Sequence, residues 1–150
     1  MIRCVEISLR IPDNEARTAL ATLQRLGVAA VALERADLYR CDVEDGRAEE
    51  LPDTLRGFET IFNQNKHAMR VREGSHPLAG EVWIDEIESN AGARSESVRI
   101  SGRTLAGVRR LERFTAWRLY AAPGEPAEPE LVALATETLL CNTAFQKALR

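Results

Sequence analysis

One eight-residue pattern occurs twice in this chain and constrains the fold more than any other feature. Residues 33–40 and 111–118 both read Leu-Glu-Arg, three variable residues, an aromatic residue and Arg. The offset is 111 − 33 = 78 residues, and it recurs between residues 59–61 and 137–139. An offset near half of a 150-residue chain predicts two copies of one supersecondary unit. We therefore expect a first repeat over 1–73, a linker over 74–80 and a second, degenerate repeat over 81–150.

Length and charge restrict the class of protein. A chain of 150 residues is the size of one compact domain, or of two small subdomains that share a core. A net charge of −3 gives no attraction for nucleic acid. The apolar runs are shorter than the roughly 20 residues that a membrane span needs, and no leader follows Met1. Three cysteines without a Cys-x-x-Cys spacing indicate reduced thiols. We expect a cytoplasmic protein with no membrane and no nucleic-acid partner.

Apolar periodicity in the first half predicts the order strand, helix, strand, strand, helix, strand. A tight turn near Ala36-Asp37 should join the middle two strands as a hairpin. This order is the split βαβ arrangement, with both helices on one face of a four-stranded sheet. The predicted elements are a strand over 3–11, a helix over 14–26, strands over 28–34 and 38–43, a helix over 52–62 and a strand over 66–72.

The second half repeats this order less clearly. We expect a strand around 82–84, a short or irregular helix within 89–103, a hairpin over 108–113 and 115–121, and a helix over 130–140. The chain should end either in a short strand within 143–150 or without one. The predicted core is Val5, Ile7, Leu9, Leu20, Leu23, Phe58, Ile61, Val82, Ile84 and Leu139.

Motifs that carry chemistry are missing from the sequence. It contains neither a P-loop nor a dinucleotide-binding glycine pattern. His67 and His76 have no acidic or cysteine companion at metal-ligand spacing. The serines within 89–101 lack both a nucleophile-elbow pattern and a nearby histidine. We therefore predict no catalytic residue, no metal site and no cofactor.

The repeated pattern itself supports two compatible interpretations. In the first, its leucine and aromatic residues belong to the core, and its Glu and Arg side chains pair across strands on the solvent face. In the second, the arginines present planar donors on an open sheet face and bind carboxylates or carbonyls of another protein. The candidate partner-binding residues are Arg35, Arg40, Arg113 and Arg118.

Each half resembles PurS, the small subunit of phosphoribosylformylglycinamidine synthase, the glutamine-dependent amidotransferase of purine biosynthesis. The resemblance rests on residues 2–44, on the two hairpin segments and on the Leu-Leu-small-Asn signature at 139–145 and, more faintly, at 61–65. The sequence departs from the family at Thr143 and Gln64, where proline is usual. It also departs at 11–14, where the family's first loop is glycine-rich.

The tandem arrangement resembles the N-terminal domain of the large single-chain form of the enzyme, to which residues 108–113 are similar. This resemblance implies an α+β fold of two tandem ferredoxin-like, PurS-like repeats that form a pseudo-dimer, as a monomer or a homodimer. It also implies a non-catalytic adaptor that bridges the glutaminase and synthetase subunits and helps to pass ammonia between them.

The alternative function is a regulatory protein of two tandem ferredoxin-like (ACT-type) domains that binds a small molecule between the copies. Glycine-rich strand-to-helix turns would favour it, and Pro12-Asp13-Asn14 does not supply one. An enzyme with its site on the open sheet face would need an acid, base or metal cluster, which the sequence lacks.

Overall fold

The computed structural model describes residues 1–87 and 98–150. The fold is mixed α+β, and the described residues form a seven-stranded antiparallel sheet and three α-helices. Among the described residues, no helix combines the length and the apolar character needed to cross a bilayer. The elements are β1 (Ile2–Leu9), α1 (Asn14–Arg25), β2 (Ala32–Val43), a 3₁₀ turn (Ala48–Glu50), α2 (Leu51–Arg56), β3 (His67–Arg72), β4 (Glu81–Glu86), β5 (Arg99–Ile100), β6 (Arg103–Thr104), β7 (Val108–Ala122), β8 (Glu125–Pro126), α3 (Pro129–Ala135), a π-helical turn (Thr136–Leu140) and β9 (Gln146–Leu149).

The chain forms two compact units that do not coincide with its two halves. Unit 1 contains the described residues 1–11, 37–75 and 98–114, and unit 2 contains 12–36, 76–87 and 115–150. One boundary falls within β2, after Ala36, and another within β7, after Phe114. These boundaries are 114 − 36 = 78 residues apart, which equals the repeat offset. Each unit is therefore built from parts of both copies.

Both predicted hairpins are wrong, because β2 and β7 are continuous strands. A two-residue hairpin turn needs positive φ angles, which glycine adopts readily, and neither β2 nor β7 contains a glycine. Each copy's strand instead pairs with the other copy's strand. In unit 2 the Val31 N–H donates to the Tyr120 oxygen at 2.9 Å, and in unit 1 the Glu44 N–H donates to the Gly107 oxygen at 2.8 Å.

The predicted irregular helix over 89–103 is wrong in its described part. Residues 89–97 lie outside the described residues, and residues 99–104 form the hairpin of β5 and β6. Here the turn chemistry is suitable, since Ser101 and Gly102 have φ angles of 51° and 78°.

Unit 1 packs α2 and the turn after it onto β1, β2 and β3. β1 pairs antiparallel with β2 on one side and with β3 on the other. Helix α2 ends at Arg56, earlier than predicted, but the apolar residues that follow it still reach the core. Because the chain leaves unit 1 after Ile11, Leu9 lies at the end of the strand and is 37% exposed, against prediction. The unit 1 core is Val5, Ile7, Tyr39, Cys41, Val43, Leu51, Leu55, Phe58, Ile61, Phe62, Val98, Leu105 and Val108.

Unit 2 packs α1 and α3 onto β4, β7 and the first part of β2. Helix α1 begins as predicted, because the Asp13 carboxylate accepts from the N–H groups of Glu15 and Ala16 at 3.0 and 3.2 Å. It ends in a Schellman motif, in which Gly27 has a φ of 89° and the Val28 N–H donates to the Leu23 oxygen at 2.9 Å. The last strand, β9, pairs antiparallel with β4. The unit 2 core is Leu23, Val28, Ala30, Leu33, Val82, Ile84, Leu119, Ala127, Val132, Ala135 and Leu140.

Leu139 is a second error in the predicted core, since it is 40% exposed. The repeat offset of 78 placed it opposite the buried Ile61, but the helix of the second copy ends in a π-helical turn. There the Cys141 N–H donates to the Thr136 oxygen at 3.1 Å, which accommodates one extra residue. The offset becomes 79, so Leu140, 7% exposed, takes the buried position. Leu20 is partly buried, and the burial predicted for the other core residues is confirmed: Val5, Ile7, Leu23, Phe58, Ile61, Val82 and Ile84.

Truncating Leu23 to Ala is expected to lower the free energy of unfolding by about 2–5 kcal/mol, because its side chain is fully buried in the unit 2 core. Leu26→Ala, at the C-cap of the same helix, is the matched control. Its side chain is 58% exposed, so the loss should stay below about 0.5 kcal/mol. Equilibrium urea unfolding of the two variants measures both values. Equal losses would show that α1 does not pack by this face.

Candidate functional site

In both copies the same asparagine turn lies between the second helix and the last strand. The Asn63 N–H donates to His67 Nδ1 at 2.9 Å, and the Asn142 N–H donates to Gln146 Oε1 at 2.8 Å. Each asparagine side chain also accepts from the backbone N–H two residues later, at 2.9 and 3.0 Å. This turn is an Asx turn that leads directly into the next strand. The asparagine of the signature is thus a structural residue in both copies, and His67 is the acceptor of a turn.

Arg40 lies in the part of β2 that belongs to unit 1, and its guanidinium contacts Glu112 on β7. Nε and Nη2 donate to the two carboxylate oxygens at 3.2 and 3.3 Å, and Nη1 donates to the Ser75 oxygen at 3.3 Å. The guanidinium also lies 5.0 Å from the centre of the Phe114 ring. Arg110 contacts the same carboxylate at 3.2 Å. Only 22% of the Arg40 side chain is exposed, so its guanidinium mainly makes contacts within unit 1.

Arg118 occupies the corresponding position of the second copy, in unit 2. Its Nη2 donates at 2.8 Å to Glu81, whose side chain is 1% exposed. The other carboxylate oxygen of Glu81 accepts from the Trp83 indole at 2.6 Å and from the Leu78 N–H at 3.3 Å. Arg118 also lies 3.7 Å from Glu34. A buried carboxylate is stable only when paired and hydrogen-bonded, and Arg118 supplies the charge that Glu81 requires.

The ion pairs of the two copies are reciprocal. Glu34 and Glu112 are the second residues of the repeated pattern, and Arg40 and Arg118 are its eighth. Arg40 of the first copy pairs with Glu112 of the second, while Arg118 of the second copy pairs with Glu34 of the first. Glu and Arg of the pattern do pair across strands, but the prediction that they pair within one hairpin on the solvent face is wrong, because each pair joins the two copies and the Arg40–Glu112 side chains are only 22% and 13% exposed. Ion pairing between the copies therefore explains why Glu at the second position and Arg at the eighth position occur in both copies of the pattern.

Arg35 fixes the start of α1 within unit 2. Its Nε and Nη2 donate to the two oxygens of Asp13 at 2.9 and 3.2 Å, and it also forms an ion pair with Glu15. The guanidinium lies 5.9 Å from the centre of the Trp117 ring. Asp13 is the residue that caps α1, so Arg35 orients the cap. Its side chain is 26% exposed.

Arg113 is the pattern arginine with the most accessible guanidinium. Its side chain is 59% exposed and donates at 3.1 Å to Asp37, which is itself 36% exposed. An ion pair in contact with solvent contributes little to stability. Arg113 can therefore exchange its partner at low cost, whereas the contacts of the other three arginines hold the fold. The partner-binding role predicted for all four remains a prediction.

The sequence matches no known protein family and no curated protein. The resemblance to PurS therefore depends on the residues quoted for it and on the arrangement of the two copies.

Burial keeps two reactive side chains of unit 1 protonated. Burial, together with smaller contributions from the nearby Cys4 and Glu112, raises the pKa of the Cys41 thiol to about 12. Burial likewise raises the pKa of Tyr39 to about 12, against a smaller lowering by the Arg113 charge. Neither group supplies an anionic nucleophile near neutral pH. Within the described part of the chain, no group of three or more His, Cys, Asp or Glu side chains is arranged to hold a metal ion.

Sequence reasoning missed Glu81 and Trp83 as a buried polar pair. A signal was present, because Glu81 directly follows a glycine and precedes the three apolar residues 82–84 of the same strand. Gly80 has a φ of 78°, and a Cβ at this position would lie 2.8 Å from the Leu119 oxygen. This close approach lets the Leu119 N–H donate to the Gly80 oxygen at 2.8 Å and brings β4 against β7.

Proposed function

We propose that this chain is a non-catalytic adaptor subunit of a glutamine-dependent phosphoribosylformylglycinamidine synthase complex. It would bridge separate glutaminase and synthetase subunits in the cytoplasm and have no active site of its own. In finer detail, the proposal treats the α+β fold as two tandem ferredoxin-like, PurS-like repeats that form a pseudo-dimer. One observation carries it: both copies contribute to each compact unit, which is what a covalently fused pair of PurS-like subunits requires.

The contacts of the repeated pattern support this proposal. The reciprocal pairs Arg40–Glu112 and Arg118–Glu34 join the two copies, as the same residues would join two identical chains. Fusion makes this association intramolecular, at an effective concentration of order mM for a short linker. The second copy can then lose local sequence quality and still keep its partner, which accounts for its degenerate pattern.

Arg113 supplies the proposed contact to a catalytic subunit. Its exposure of 59% and its solvent-accessible pair with Asp37 leave the guanidinium able to bind a carboxylate or a carbonyl of another chain. Arg35, Arg40 and Arg118 are 26%, 22% and 19% exposed, so each of them presents less of its guanidinium to a partner than Arg113 does.

Reconstitution with purified glutaminase and synthetase subunits tests the proposal. We expect no turnover by this chain alone, and glutamine-dependent amidination only when all three chains are present. Ammonium salt should replace glutamine without this chain, because the chemistry of the synthetase does not use it. Arg113→Glu should weaken assembly while Arg25→Glu, an exposed arginine on α1, should not. Full glutamine-dependent activity without this chain would contradict the proposal.

A further inference from the structure

The exposed face of α1 carries two arginines on either side of a small residue. Arg17, Ala21 and Arg25 are exposed and follow one another at spacings of four residues, so they lie along one face of the helix. Among the described residues, Arg17 has no ion-pair partner, and the Arg25 guanidinium donates only to the Thr22 hydroxyl, at 3.4 Å. An open surface groove follows this face, and its lining residues are Asn14, Arg17, Thr18, Ala21, Thr22 and Arg25. The face therefore presents two positive charges around an open groove.

The exposed face of α3, with the π-helical turn that continues it, has the opposite charge. Glu130, Leu134 and Glu137 are exposed and follow one another at spacings of four and three residues. In the part of the chain that the structure describes, neither carboxylate has an ion-pair partner. Leu134 is 46% exposed, although Val132 and Ala135 of the same helix are buried. Covering this face would remove apolar surface from water and give both carboxylates a partner.

The basic face and the acidic face match in charge, in spacing and in size. The two arginines are 25 − 17 = 8 residues apart and the two glutamates 137 − 130 = 7, which is about 12 Å and about 10 Å along a helix. Each pair of charges has one residue near its centre, Ala21 on the basic face and Leu134 on the acidic face. The short side chain of Ala21 leaves room above it for a leucine, so the two faces can approach closely.

Both faces belong to unit 2 of the same chain. Helix α1 contacts the π-helical turn, and Leu23 of α1 and Val132 of α3 pack into the same core against β4 and β7. The two helices therefore lie side by side, with their exposed faces turned away from that core. A second copy related by a two-fold axis that runs between the helices places a basic face on an acidic face twice, which is the arrangement of an isologous dimer.

We propose that this chain forms a symmetric homodimer in which α1 of one copy lies on α3 of its partner. Arg17 and Arg25 pair with the partner's Glu130 and Glu137, and Leu134 of the partner lies over Ala21. The inference does not depend on the proposed function, because Arg113 belongs to unit 1 and lies outside these two faces. Loss of the dimer should therefore leave the binding of catalytic subunits unchanged.

Sedimentation equilibrium of the full chain tests the homodimer at concentrations from about 5 µM to about 0.5 mM. Exposed ion pairs and one leucine per contact give a weak interface, so we expect a dissociation constant of about 100 µM and mainly monomer at about 10 µM. Arg17→Glu/Arg25→Glu places like charges opposite each other, and so does Glu130→Arg/Glu137→Arg. Each of these reversed chains should dimerise about 30-fold more weakly or worse. An unaltered chain that stays monomeric to about 0.5 mM would overturn the homodimer.

Two further variants separate specific pairing from net charge and test the apolar contact. Arg109→Glu/Arg150→Glu changes the net charge as much as reversal of the basic face does, but at exposed arginines outside both helices. Its dissociation constant should stay within about threefold of that of the unaltered chain. Leu134→Ala should weaken the dimer about tenfold, because less apolar surface is covered. Equal dimerisation of Leu134→Ala and the unaltered chain would refute the contact of Leu134 with Ala21.

Mixing the two reversed chains gives the sharpest test. One of them then has two acidic faces and the other has two basic faces, so neither pairs with itself but the two should form a heterodimer. A single chain with all four substitutions has exchanged its faces and should form a homodimer again. A folding defect would be repaired neither by mixing nor by the additional substitutions. The proposal is overturned if the reversed chains dimerise as the unaltered chain does, or if they remain monomeric when mixed.

Discussion

Fragments 1–75 and 76–150, prepared separately, are expected to be unfolded alone and to fold when mixed. The reason is that neither fragment contains a complete core. In unit 2, Leu23 and Val28 of the first fragment pack with Val82 and Leu119 of the second. In unit 1, Val98, Leu105 and Val108 of the second fragment belong to a core whose other buried members come from the first fragment. Each fragment alone would expose the apolar residues that the other one covers.

The loss of the linker between the two halves determines how much weaker the association of the separate fragments is. A short linker holds the halves at an effective concentration of order mM, so fragments at about 10 µM lose a factor of about 100, or about 2.7 kcal/mol. The mixture should therefore recover the near-ultraviolet circular dichroism of the intact chain, and its melting temperature should rise with concentration. The melting temperature of the intact chain should not depend on concentration.

Two variants of the first fragment provide the control. Leu23→Ala removes a buried contact to the second fragment and should weaken association, whereas Leu26→Ala, on the exposed side of α1, should not. A native, monomeric signature from either fragment alone would show that the copies fold independently, and the interleaved units would then be unnecessary for folding.

Local signals in the sequence predicted α1 well, because they act over short distances. Asp13 and Gly27 specify the ends of the helix through contacts within a few residues. The continuity of β2 and β7 was harder to predict. The point in β2 at which pairing with β1 begins, Asp37, looks like a turn when only alternation is considered. The missing glycine was the available evidence against the turn, since a two-residue hairpin needs positive φ angles.

The repeat predicted which residues form ion pairs, but not which copy of the pattern supplies their partners. The pattern placed Glu directly after the leucine and Arg directly after the aromatic residue, and the structure pairs the two charged residues. With a hairpin assumed, the pairs belonged within one copy. With continuous strands, Arg40 meets Glu112, 72 residues away. A contact at this separation depends on the topology of the whole chain, which local periodicity does not encode.

A single inserted residue explains the remaining error in the core. The π-helical turn at Thr136–Leu140 changes the offset between copies from 78 to 79. This change moves Leu139 to the surface and Leu140 into the core. The spacing of the two asparagines, 142 − 63 = 79, carried the same information in the sequence.

Arg118→Met is expected to lower the free energy of unfolding by about 3–5 kcal/mol, because it removes a 2.8 Å ion pair from the buried carboxylate of Glu81. Methionine retains the apolar part of the side chain, so the loss reports mainly on charge. Arg113→Met is the matched control, since it changes the same residue type in the same copy of the pattern. Its pair with Asp37 is exposed to solvent, and the cost should be about 0–1 kcal/mol. Urea unfolding at neutral pH measures both.

A second substitution distinguishes the cost of the buried Glu81 charge from the cost of lost packing. Adding Glu81→Gln to Arg118→Met replaces the buried carboxylate by a neutral amide that can still accept from the Trp83 indole and the Leu78 N–H. The double variant should therefore recover part of the stability that Arg118→Met loses. Equal costs for Arg118→Met and Arg113→Met would mean that both guanidiniums are solvated alike. The eighth position of the pattern would then have no structural advantage over the third, and the reciprocal pairs would not explain why the pattern is repeated.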